Sequence, residues 1–205
     1  MSCKGFLGRG FQSRVVRGEL AGSAPLVFGY DDSVPALTDA EIASIALDEQ
    51  AFRERLEGLS AARFLMLGGT DADWLSSLGR MDIVAQMVRI AKDMGFVPLL
   101  LGHYTSTLIP AAMRASLDVE AYVIPLNREW SWFTHEDALR AVRQADKPCI
   151  AFMPLGSGSL ASDVKGALRW LYNEAGVTGI LVGVSRPRTA RETVKLCLEL
   201  APSRR

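Results

Sequence analysis

Histidine and cysteine are scarce in this chain of 205 residues, which holds two histidines, His103 and His135, and three cysteines, Cys3, Cys149 and Cys197. The cysteines are far apart and odd in number, and no metal-ligand spacing joins them to a histidine, so a zinc site is not expected and a reducing, cytoplasmic compartment is. An excess of charge is missing as well. Lys plus Arg and Asp plus Glu both count 23, so no global field draws the chain to nucleic acid or to an anionic membrane, and small molecules are the expected partners. Apolar runs are broken by Gly, Pro or a charge short of the roughly 18 residues that a membrane span needs. The opening residues lack the apolar run of a secretory signal, although Lys4, Arg9, Arg14 and Arg17 precede the first acid, Glu19, in the manner of a transit peptide; the alternative is an irregular or hairpin segment over 1–24.

What is present is a repeat. Hydrophobic residues make up 49% of the chain, enough for a buried core. From about residue 60, short β-branched or leucine-rich runs alternate with Gly-rich or polar loops and amphipathic stretches. The strand-like runs are 63–67, 96–101, 121–126, 148–153 and 179–184. Helices are expected over 82–94, closed by Gly95, over 109–115, from Thr134 to 145, through Leu168 and Leu171 to Gly176, and through Val194 and Leu198. Upstream, Pro25 to Tyr30 reads as a further strand, Arg14 to Leu20 as a weaker one, and Thr38 with Glu41 as a capping box opening a helix to Leu56.

Connections long enough to hold a helix require parallel strands with right-handed crossovers, and near-continuous apolar strands imply that both faces are covered. An open doubly wound sheet and a closed barrel share this signature. The chain reads as one α/β domain over 25–205, a parallel (β/α) TIM-barrel-like fold that is incomplete, with about six or seven strands; roughly 250 residues are usual for the complete barrel. Open edges in such a fold imply self-association or a missing segment.

Chemistry in a parallel β/α fold sits just after the strands. Those positions hold Tyr30 and Asp31, Asp71 and Asp73, His103 and Tyr104, Asn127, Ser157 and Ser159, and Ser185 and Arg186. In Pro154-Leu155-Gly156-Ser157-Gly158-Ser159 two glycines let backbone amides turn toward a ligand, and the serines add hydroxyl donors, a pattern suited to phosphate. Arg186 and Arg188, at a helix start after the last strand, supply positive charge. The competing expectation is that these glycines and serines only make tight turns. His103 beside Tyr104 is a candidate proton donor, against a structurally satisfied imidazole; His135 is expected to be solvated. Asp71 and Asp73 are candidates for a metal or general-base pair, or for capping. Trp130, Trp132 and Phe133 either stack on a flat ligand or pack as a rim lid.

The segments KPCIAFMPLGSGSL (Lys147 to Leu160) and GILVGVSRPRTARETVKL (Gly179 to Leu196) resemble the C-terminal third of the aldo-keto reductases. The resemblance extends in order through RFLMLGGTD, FVPLLLGHY and AYVIPLN, over about residues 25–200. It implies a cofactor, NADP(H), with Pro154, Leu155, Gly156 and Gly158 on the pyrophosphate side, Ser185 and Arg186 at the adenosine phosphate and Glu192 at the adenine. It implies carbonyl reduction or alcohol oxidation as the reaction. The family's Asp, Tyr, Lys and His tetrad is not found: Gly68 and Gly69 stand where the histidine is expected, and Gly29 and Tyr30 where the lysine is. Two rivals stand beside this reading. One is another phosphate-binding barrel enzyme, an aldolase or isomerase using Asp71, His103 or Asn127; the other is a non-catalytic barrel subunit.

Overall fold

The computed structural model describes residues 37–59, 61–130 and 134–201. The strands expected at Arg14 to Leu20 and Pro25 to Tyr30, the 1–24 segment, and the candidates Tyr30, Asp31, Trp132 and Phe133 lie outside the described residues.

Thr38 caps helix α1 (Asp39–Ser44) as a capping box: its hydroxyl accepts from the Glu41 amide at 3.3 Å and the Glu41 carboxylate accepts from the Thr38 amide at 2.9 Å. The helix expected to run on to Leu56 is two helices. Asp48 offers a second N-cap, its carboxylate accepting from the Ala51 amide at 3.0 Å, and α2 (Glu49–Glu57) starts there. Phe52 and Leu56 turn inward from α2 and are fully buried, each contributing about 2 kcal/mol of apolar transfer.

Strand β1 (Phe64–Gly68) follows, then α3 (Thr70–Ser77), α4 (Met81–Asp93), β2 (Val97–Leu101), α5 (Thr105–Arg114), β3 (Tyr122–Pro125), α6 (His135–Gln144) and β4 (Cys149–Phe152). Two single 3-10 turns, Gly156–Gly158 and Ala161–Asp163, lead into α7 (Val164–Trp170), which continues as a π-turn over Leu171–Ala175 and is closed by Gly176 at φ 80°. The chain then forms β5 (Gly179–Leu181) and α8 (Pro187–Leu200). Among the described residues helix α3 is the one α-helix that the sequence pattern concealed. Asp71 through Leu75 are all buried, so the segment has no polar face to alternate with an apolar one.

The five strands are parallel and lie in the order β1-β2-β3-β4-β5, each beside its sequence neighbour and without the reversal of a doubly wound sheet. Five strands, rather than six or seven, stand among the described residues; the two further ones expected fall outside them. Leu65, Leu67, Leu100, Tyr122, Ile124, Cys149 and Ala151 share one face and join one core with helix residues such as Phe52, Trp74, Ile83 and Leu108. On the other face Phe64 is 59% exposed, Met66 39% and Leu181 41%. Among the described residues helices cover the first face, and on the second Val123 is buried while the apolar residues at the two edges of the sheet stay partly open. Among the described residues no helix is long and apolar enough to cross a membrane.

Candidate functional site

Because the strands are parallel, the loops after them gather at one rim. At β1 the chain turns sharply into α3 through Gly68 (φ 101°) and Gly69 (φ 73°), whose amide bonds to the Leu101 carbonyl at 2.7 Å. This close turn sets the first turn of α3 against the end of β2, with Asp73 only 1% exposed.

The Asp73 carboxylate is held by three donors from the β2–α5 connection. The His103 amide reaches both of its oxygens at 2.8 Å, the Tyr104 amide reaches Oδ1 at 2.9 Å, and His103 Nδ1 lies 2.9 Å from Oδ2. Amide dipoles of the α3 first turn add to the same negative group. Gly102 is part of the construction: a Cβ there would fall 2.6 Å from Asp73 Oδ1 and 2.4 Å from Leu108 Cδ2, so only glycine lets the carboxylate approach.

An ionised carboxylate only accepts, so Nδ1 of His103 carries the proton and the basic lone pair of the neutral ring resides on Nε2. The His103 side chain is 30% exposed, and its ring meets Phe152 edge-on, with centroids 5.8 Å apart and planes at 90°. Phe152 is the last residue of β4 and belongs to the row Pro125, Phe152, Leu181 on the face opposite the helix-covered core. The imidazole therefore stands over the rim of that face, two residues from the start of the glycine-rich loop. An imidazole oriented by a buried carboxylate is the arrangement that moves a proton to or from a substrate atom within hydrogen-bond reach.

The other sequence candidates fall as follows. Tyr104 is 6% exposed, and its contribution to this carboxylate is its amide. Asp71 lies on the same helical turn, 5% exposed, but the histidine's carboxylate is Asp73. Neither aspartate bonds as the N-cap of α3, whose capping position is Gly69. Asn127 is fully buried and structural: its Oδ1 accepts from the Glu129 and Trp130 amides at 3.0 Å each, and its Nδ2 donates to the Met153 carbonyl at 3.4 Å. His135, expected to be solvated, is half-buried; its ring stacks on Trp170 at 5.4 Å, and Nε2 lies 2.8 Å from the Asn127 carbonyl.

In the loop after β4, Pro154 and Gly156 are buried, Leu155 is half-buried, and Ser157, Gly158 and Ser159 are exposed. The amides of Gly156, Gly158 and Ser159 bond to carbonyls of the loop itself, those of Met153, Leu155 and Gly156. Ser159 Oγ donates to Glu129 Oε2 at 2.5 Å. Ser185 and Arg186 are exposed in the connection from β5, the strand next to β4, to α8, where Arg186 holds the N-cap position at the same rim. Glu192 is engaged on the α8 surface by Arg188, at 2.8 Å. Cys149 is chemically quiet: burial, and secondarily the Asp146 charge, push its thiol up to about 12.

Sequence reasoning named both Asp73 and His103 but did not join them. The available signal was that they follow consecutive strands, which are neighbours when every crossover has one hand. The contact of Glu129 with Ser159 had no such signal. Among the described residues no group of three or more metal-ligating side chains comes together. Compared with known proteins, the chain matches no protein-family model and no curated protein.

Proposed function

We propose that this protein is a (β/α)-barrel-type enzyme of a cytoplasmic, reducing compartment, in which His103, oriented by Asp73, transfers a proton on a small phosphate-bearing carbonyl compound. Support for the barrel type comes from the unreversed strand order and the helix-covered face among the described residues. The observation that carries the chemistry is the buried Asp73 carboxylate gripping the His103 amide and Nδ1 while the ring rests on Phe152, next to the glycine-rich loop. Binding the phosphate by one loop and presenting the carbonyl to the imidazole is the division of labour that positions a substrate for proton abstraction.

The test is hydrogen exchange in D2O. Phosphorylated hydroxyketones and hydroxyaldehydes are incubated with the protein, and deuterium entering the carbon next to the carbonyl is followed by proton NMR. Wild-type protein is expected to exchange at least one of them, and His103→Gln to slow it by about 100-fold or more. Exchange that survives the substitution unchanged, or no exchange across the panel, refutes the reading.

A second reading is NADP(H)-linked carbonyl reduction, as the resemblance to the aldo-keto reductases implies. What favours it is that β4 and β5 are adjacent and parallel, bringing Gly156 to Ser159 and Ser185 with Arg186 to one rim. Arg186→Ala is then expected to weaken NADPH more than NADH in a fluorescence titration. An equal loss for both removes the assignment of Arg186 to the 2′-phosphate.

A further inference from the structure

We propose that Glu129 is a built-in competitor for the glycine-rich loop, its carboxylate occupying the position that an anionic ligand group takes. The proposal rests on the loop after β4 being an anion site, and adds that the site is gated from within the chain.

Four residues of this loop have positive φ: Met153 at 55°, Gly156 at 56°, Ser157 at 57° and Gly158 at 109°. Two of them carry side chains, a concentration of backbone strain of the kind that marks ligand clamps. With the Gly156, Gly158 and Ser159 amides turned onto the loop's own carbonyls, the Ser159 hydroxyl lies 3.0 Å from the Gly156 carbonyl and 2.5 Å from Glu129 Oε2, and its single proton goes to the nearer, charged acceptor.

The position that a Cβ would take on Gly156 is filled by Ser159. A Cβ there would stand 2.4 Å from Ser159 Oγ, 3.4 Å from Trp130 Nε1 and 3.6 Å from Glu129 Oε2. The bare backbone at Gly156 thus lets the Ser159 hydroxyl pack onto it and present its proton to the Glu129 carboxylate, whose place a phosphate oxygen would take. The two anions cannot both be there, since they would compete for the same proton and like charges at contact repel.

The fold also makes the exchange local. The backbone at Glu129 and Trp130 is pinned by Asn127 Oδ1, and Arg128 bonds to Asp163, the N-cap of α7, at 2.7 Å. Rotation of the exposed Glu129 side chain alone therefore frees the Ser159 hydroxyl, with β3 and β4 undisturbed. The fraction of molecules with Glu129 rotated out multiplies the intrinsic affinity, so the carboxylate sets a ligand threshold.

Binding of inorganic phosphate, followed by calorimetry at fixed ionic strength, tests this in wild type, Glu129→Gln and Ser159→Ala, with thermal unfolding confirming that each is folded. Expected are weak binding to wild type, about tenfold tighter binding to Glu129→Gln, and weaker binding to Ser159→Ala. Wild type that binds phosphate while Glu129→Gln binds no more tightly overturns the gating alone. Folded wild type and Glu129→Gln that both fail to bind phosphate overturn the anion site and the gating with it.

Discussion

Asp73→Ala is expected to lower stability by about 3 kcal/mol, because hydrogen bonds to a charged group contribute about 1.5–3 kcal/mol and their loss strands buried donors. The substitution removes the acceptor of the His103 amide, the Tyr104 amide and His103 Nδ1 at one stroke, in a place where the carboxylate is 1% exposed. Water has little access to replace it. The ring of His103 loses its orienting partner as well, so its protons redistribute between Nδ1 and Nε2. Asp73→Asn separates the two effects: it retains an oxygen acceptor but places an amide NH2 against donors. Urea denaturation measures the first effect, and 15N shifts of the imidazole the second. A loss below about 1 kcal/mol with unchanged imidazole shifts would mean that the carboxylate is not what holds the β2–α5 connection.

Gly68→Ala is expected to be comparably damaging for a different reason. Its φ of 101° is already unfavourable for an L-residue, and the added Cβ would stand 2.4 Å from the Cβ of Ala72 and 2.7 Å from the Leu101 carbonyl oxygen. Neither neighbour is the flexible end of a side chain, so β1 or α3 has to move, at a total cost of about 3 kcal/mol or more. Movement there also loosens the Gly69 bond to Leu101 and shifts Asp73 with its helix. Gly79→Ala is the control. Gly79 has a similar left-handed φ of 71° but nothing within 4 Å of its added Cβ, so only the conformational cost, about 1–2 kcal/mol, should appear. Equal losses at the two positions in thermal or urea unfolding would show that crowding at β1 is unimportant.

The five strands were legible because each is a short apolar run bounded by glycine or polar residues, and the observed bounds fall within three residues of the expected ones. Helix ends followed where a cap was chemical, as at Thr38 and Gly176, and failed where a second cap competed, as at Asp48. Helix α3 was illegible because burial on all sides leaves no period to read. That omission hid the site: without α3, Asp73 belonged to a loop, and nothing aimed it at a residue thirty positions later. Sequence alone could rank strand ends as places for chemistry. It could not show that the amides of the glycine-rich loop close on themselves, nor that Glu129 reaches Ser159, since both depend on the path of loops across the rim.

Adjacency of each described strand to its immediate successor has a consequence for how the molecule is made. Each pairing closes a span of only a few tens of residues, so the contacts are short-range along the chain and the entropy of closure is met in small instalments. The carboxylate and imidazole at the rim belong to the earliest of these pairings, β1 with β2, all contained between Phe64 and Tyr104. During synthesis that pair can assemble while the segments that form β3, β4 and β5 are still unmade, which places the acid–base apparatus ahead of the anion loop in the order of birth.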